Sequence, residues 1–190
     1  TDAAALPSRV AWSLRPRWDG LSLRASAACC TPRPLGATLR WRPGRLRLDL
    51  EESDLRWPAS VLSGLGTPWN TLQFDGEMHM TSRALSVEWS EGRLAVEGQA
   101  ELTAQNLSSR LSTLRPMGSY RMTLQGGTAP TLRLHTIEGS LQLTGGGQWV
   151  GRRLQFQGEA SAAADREAAL SNLLNIIGRR SGPRSIITIG

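Results

Sequence analysis

Apolar residues fall on every second position through most of this chain. Tyr120, Met122 and Leu124 alternate with Arg121, Thr123 and Gln125, and Leu132 and Leu134 alternate with Arg133 and His135. Leu141 and Leu143 flank Gln142, and Leu154 and Phe156 flank Gln155. Successive side chains of an extended chain point to opposite faces, so each run predicts a strand with one dry and one wet face. Glycines at 126–127, 139, 145–147 and 151 punctuate the runs, as tight antiparallel connections require, and Gly145–Gly147 reads as a hairpin turn.

The upstream half repeats the pattern. Val10, Trp12 and Leu14 predict one strand, and Leu21 and Leu23 a second. Leu39 and Trp41 pair with Leu46, Leu48 and Leu50 across Arg42-Pro43-Gly44. Residues 29–36, with two prolines and a glycine, read as a loop. Leu72, Phe74, Met78 and Met80 resume the alternation, and Leu85, Val87 and Trp89 form a separate strand. A longer one, Leu94 to Leu102, follows the turn at Ser90–Gly92.

Helical signals are few. Pro58 to Leu65 predicts a short helix, and Asn106 is placed to cap another over Leu107–Leu114. The strongest starts at Asp165 as N-cap, with Ala168, Leu170, Leu173, Leu174 and Ile177 as its apolar stripe. Gly178 ends it, Arg179 and Arg180 suit its dipole, and Ser185–Ile189 makes a last strand. The expected fold is all-β. It is a large curved antiparallel sheet of about a dozen strands, an open half-barrel or a partly closed sandwich, with a C-terminal helix and one or two short helices.

An internal echo supports one long sheet. Gly92-Arg-Leu-Ala-Val-Glu-Gly-Gln-Ala resembles Arg152-Arg-Leu-Gln-Phe-Gln-Gly-Glu-Ala at a spacing of 60 residues, within possible repeat units 72–103 and 132–161. Both copies carry a glycine at the same place, where a bulge is the usual reason. A single domain over 1–190 is the expectation.

All 22 basic residues are arginine. Residues 1–47 hold nine Arg against Asp2 and Asp19, while 48–190 hold 13 Arg against 14 acids, so the cationic excess is N-terminal. Most of these arginines occupy the wet positions of strands (Arg40, Arg42, Arg45, Arg47) instead of one basic helix with interleaved aromatics, which argues against nucleic acid as a partner. No run approaches the roughly 20 apolar residues of a membrane-spanning helix. The opening residues, Thr1–Pro7, look like the product of a cut.

Candidate chemistry is sparse. The two cysteines are neighbours, Cys29 and Cys30. Adjacent Cα atoms lie about 3.8 Å apart, closer than disulfides usually allow, so two thiols on opposite faces are expected in preference to a bridge. His79 and His135 lack the paired spacing of a zinc site, and no nucleophile motif is present, so no catalytic, metal or cofactor residues are expected. Of seven Trp, Trp12, Trp41 and Trp89 fall in register with core positions, whereas Trp57 and Trp69 are the candidates for a contact surface, with Arg40 and Arg42.

The C-terminal half resembles the N component of the type II secretion system, the GspN family. The resemblance rests on Leu114-Arg-Pro-Met-Gly-Ser-Tyr120, Gly139-Ser-Leu-Gln-Leu143, Gly147-Gln-Trp149, Phe156-Gln-Gly-Glu-Ala160 and Leu170 to Arg180, with Pro34-Leu-Gly36 and Leu39–Arg42 looser. It implies a non-catalytic accessory protein, anchored to the inner membrane by an N-terminal helix and lying in the periplasm. Its implied partners are the C component and the outer-membrane secretin. A second expectation is a groove for acyl chains like that of periplasmic proteins of the AsmA and TamB kind, lined by Met78, Met80, Tyr120, Met122 and Leu124.

Overall fold

Strands occupy most of the computed structural model, which describes residues 8–66, 69–151 and 153–190. The opening segment Thr1–Pro7, and Arg152 of the internal echo, lie outside them. A first meander holds β1 (Val10–Arg17), β2 (Gly20–Ala27), β3 (Leu35–Arg42) and β4 (Arg45–Leu50). After β5 (Ser53–Pro58) come a 3-10 helix (Ala59–Leu65) and the short α1 (Trp69–Leu72). Next are β6 (Phe74–Ser90), β7 (Arg93–Ser109), β8 (Gly118–Gly127), β9 (Thr131–Gly139), β10 (Leu141–Val150) and β11 (Arg153–Ala162). The chain closes with α2 (Glu167–Ile177), β12 (Arg179–Ser181) and β13 (Arg184–Ile189).

All thirteen strands form one open antiparallel sheet, β1-β2-β3-β4-β6-β7-β8-β9-β10-β11-β13-β12. The long edge of β6 is shared: β4 pairs with Arg45 to Asp49 against its C-terminal part, and β5 with Ser53 to Pro58 against its N-terminal part. The two strands expected over 74–80 and 85–89 are therefore one, made continuous by a bulge. Between Arg83 and Ser86, β6 takes one residue more than the facing Gln99–Glu97 of β7. Gly98 meets it with φ +82, and a Cβ there would lie 2.2 Å from the Ala84 carbonyl oxygen, so only glycine fits.

The helices seal one region of the sheet. Leu170, Leu173 and Leu174 of α2 cluster with Ala59, Leu72, Met78, Ala104, Met117, Tyr120, Leu141 and Ala160. Asp165 does not cap α2: its φ is 62, and Arg166 takes the cap position without a side-chain bond. Burial of the leucine stripe, not capping, holds this helix. Gly178 is extended, so the chain runs directly into β12 and carries Arg179 and Arg180 away from the helix end.

No helix forms over 107–114. β7 continues to Ser109, and serines then satisfy the turning backbone. Ser109 Oγ donates to the Leu72 carbonyl at 2.6 Å and accepts from the Leu111 N–H at 3.2 Å. Ser112 Oγ donates to the Ala169 carbonyl at 3.3 Å and accepts from the Leu114 N–H at 3.1 Å.

Gly145–Gly147 is not a hairpin turn but the middle of β10. The Phe156 ring is the reason. Cβ atoms on Gly145 and Gly158 would lie 2.5 and 3.0 Å from that ring, and one on Gly147 would lie 2.9 Å from the Phe156 Cα. Phe156 is thereby buried against a floor of glycines. The echo consequently places glycine twice for different reasons, a bulge at Gly98 and a close approach at Gly158, which keeps regular register with Gly145.

Candidate functional site

Register decides which side chains share a face, because directly opposed residues of an antiparallel pair point the same way. Trp41, Leu46, Trp89 and Leu94 form one row across β3, β4, β6 and β7. Pro16, Leu21, Leu39, Leu48, Val87 and Val96 form the next. Leu14, Leu23, Ala37 and Leu50 follow, then Trp12, Ala25 and Leu35. This face is apolar throughout, and its outer members are open: Trp12 is 70% exposed, Trp41 53%, Leu14 50%, Val10 44% and Trp89 43%. Contiguous exposed apolar surface is uncommon on monomeric proteins, which makes this face the candidate site.

The reverse of the same strands is ionic. Arg40 reaches Asp49 at 2.9 Å and Asp19 at 3.4 Å. Arg47 reaches Asp49 at 2.8 Å, Glu97 at 3.2 Å and Glu88 at 3.7 Å, and Arg45 reaches Glu88 at 3.4 Å. The hydrogen bond that the guanidinium donates to Asp49 raises the Arg47 pKa above its ordinary value, the reverse of what desolvation would do. Arg40, Arg42, Arg45 and Arg47 line a shallow cleft of about 240 Å³ with Glu88.

A second cleft, of about 430 Å³, lies where the loop after β2 meets β5. Cys29 and Cys30 line it with Trp57, His79 and Gln105, and the two cysteines are joined to each other. The expectation of two separate thiols is corrected. The turn that starts at Ala27, whose carbonyl accepts from the N–H groups of Cys30 and Thr31, brings the two side chains together. The Cys30 carbonyl in turn accepts from the Arg56 N–H at 2.7 Å, which ties the loop to the outer edge of β5 at that residue. His79 Nε2 lies 2.8 Å from Asp54 Oδ1.

Residues 2–187 match the family described as Type II secretion system (T2SS), protein N. The chain belongs to this family. Protein N is a non-catalytic component of a secretion apparatus, and its accessory role in secretion carries over to this member. Comparison with curated proteins and with solved structures gives no match. Among the described residues, no helix of this protein N family member is long and apolar enough to cross a membrane.

The residues singled out in sequence separate in this protein N chain. Trp57 lies within a strand. It belongs to β5, stands opposite Met78 and packs on the helix-covered cluster. Trp69 opens α1, 39% exposed, with its ring 6.1 Å from that of Phe74. Arg40 and Arg42 come together in the cationic cleft, and Arg42 stands opposite Arg45. Of the groove residues, Met78 and Tyr120 are buried beneath the helices, and the Tyr120 hydroxyl donates to the Leu141 carbonyl at 3.1 Å. Met80, Met122 and Leu124 remain half-buried on the same strands.

The tryptophans expected in the core, Trp12, Trp41 and Trp89, are exposed, as Trp18 and Trp69 are. Alternation identified their strands but not the lack of a covering layer. The signal lay in the helix count. One helix of 11 residues spans about 16 Å, whereas a dozen strands at about 4.8 Å spacing extend about 50 Å.

Proposed function

We propose that this member of the protein N family acts without catalysis in the periplasm, as an accessory of the inner-membrane platform that binds other secretion components. The uncovered apolar face of β1–β4 carries this reading. A face holding Trp12, Trp41 and Trp89 in the open is stabilised by burial against a partner, at about 25 cal/mol for each Å² of apolar surface removed from water. The periplasmic region of the C component and the outer-membrane secretin are the partners proposed. A transmembrane helix, as the family resemblance implies, would hold this part at the inner membrane. Trp69, Arg40 and Arg42 would lie at or near the contact.

Biolayer interferometry tests this with the immobilised chain against the purified periplasmic regions of the C component and the secretin. Binding to at least one, weakened by the double substitution Trp12→Ser, Trp41→Ser, is the expected result. Absence of binding to both at tens of micromolar overturns the reading.

A second reading is favoured by the half-buried Met80, Met122 and Leu124, which stand on the sheet outside the cluster sealed by the helices. In that reading the open face accommodates acyl chains. Native mass spectrometry of the purified chain would then show a co-purifying lipid mass; a single apo mass after gentle extraction from the envelope rejects it.

A further inference from the structure

Resting on the docking role just argued, we propose that the outer edge of β1 accepts an extended acidic segment of another protein as an additional strand. In that strand apolar residues would meet Val10, Trp12 and Leu14, and carboxylates would meet Arg15 and Arg17.

The geometry points there from three sides. β1 pairs only with β2, so the backbone groups on its other side have no strand partner among the described residues. Such an edge is a template for one more strand. The opposite edge, β12, has only three residues, and the free side of β5 is engaged at Arg56 by the Cys30 loop. The apolar rows also stop at β1 in full exposure, with every residue from Val10 to Arg17 open.

Charge selects the occupant. Several arginines elsewhere in the sheet meet an acid on a neighbouring strand, among them Arg40 with Asp49, Arg47 with Glu88, Arg121 with Glu101 and Arg184 with Glu159, while Arg24, Arg42, Arg83 and Arg133 do not among the described residues. Arg15 and Arg17 of β1, and Arg9 just before it, have no such acid among the described residues. Three exposed cations along one open edge are complemented best by an acidic strand. A second copy of the chain meets like charge in two of the three registers centred on Trp12, Ser13 and Leu14. Antiparallel pairing of two β1 strands that keeps the apolar faces together, centred on Trp12 or Ser13, sets Arg9 against Arg15 or Arg17 of the other copy. Like charges directly opposed destabilise such a pair, so the same arginines that favour an acidic strand disfavour self-association in those two registers; centring on Leu14 opposes no two arginines, and a dimer of the chain that takes up no peptide overturns the proposal. The backbone ladder and the tryptophan face would supply affinity, and the arginines would supply selectivity.

The test uses the full chain and three labelled eight-residue peptides in fluorescence anisotropy. One alternates valine with glutamate, one valine with lysine, and one is the glutamate peptide with proline at alternate valine positions. The expected result is binding of the first, at least about tenfold tighter than the second, with loss on raising salt and no binding of the third. The variant Arg15→Glu, Arg17→Glu, on a fully exposed strand, should reverse the preference between the first two. Equal binding of the glutamate and lysine peptides, binding of the proline peptide, or no binding of any peptide overturns the proposal. If a purified secretion component binds while the peptides fail, the edge inference falls and the docking role stands. If the peptides behave as expected while no component binds, the docking role falls instead.

Discussion

Ser185 donates its buried hydroxyl proton to the carbonyl oxygen of Leu174 at 2.7 Å, tying the last long strand to the helix that seals the core. Neither residue is accessible to water, so the carbonyl has no replacement partner. Ser185→Ala should destabilise the fold by about 1–2 kcal/mol, the cost of an unsatisfied buried acceptor. Urea unfolding should show a lower midpoint with unchanged slope; an unchanged midpoint would mean that α2 is not held this way.

Tyr120 is the only tyrosine of the chain, and it is 4% exposed. Desolvation by burial pushes its phenol well above the ordinary value near 10. The unfolded chain therefore ionises first as the pH rises. The contribution of Tyr120 to stability is complete below the unfolded value and is lost as pH climbs from there towards the folded one. Unfolding midpoints should be level from about pH 7 to 9 and fall above about pH 10. Tyr120→Phe should remove much of that fall, at a cost of about 1 kcal/mol at neutral pH for the bond to Leu141.

The glycine run of β10 offers a paired test. Gly145→Val places its Cβ 2.5 Å from the Phe156 ring and must displace it, at a cost of about 2–3 kcal/mol for exposing a buried phenylalanine. Gly146→Val points to the other face, where the nearest atom is 3.8 Å away, and should be neutral or stabilise by up to about 1 kcal/mol. Thermal melts of the two variants decide the matter, and similar losses would contradict the glycine floor beneath Phe156.

Two tryptophans should exchange the roles that alternation suggests for them. Trp12→Ser, at a residue 70% exposed, should change stability by less than about 0.5 kcal/mol while making the protein less prone to bind a hydrophobic dye. Trp57→Ala, beside Met78 and against the helix-covered cluster, should cost about 3 kcal/mol or more. Circular dichroism melts and dye fluorescence on both variants separate these outcomes.

Much of the candidate site was legible before any coordinates. The cationic excess of the first 47 residues, and the wet positions of Arg40 and Arg42, follow from position along alternating strands. Their convergence on one cleft, and the ion pairs of Arg40 with Asp19 and Asp49, needed strand register. Register is set by turns and bulges acting together, and a one-residue slip reverses every face.

By itself the sequence determined the all-β class, the meander of β1 to β4, the helix around Leu170–Leu174 and the family. Period-two alternation, turn residues and an apolar stripe are local properties, readable within a dozen positions. Tertiary structure alone decided that β6 runs unbroken through its bulge, that Cys29 and Cys30 join, and that Gly145–Gly147 supports Phe156. It also decided which dry positions stay wet. A strand's pattern states which side is apolar, but whether anything covers that side depends on where α2 lands. α2 packs on β11 and β13, and with the 3-10 helix it closes the cluster of Met78, Tyr120 and Leu141, leaving Trp12, Trp41 and Trp89 to water or to a partner.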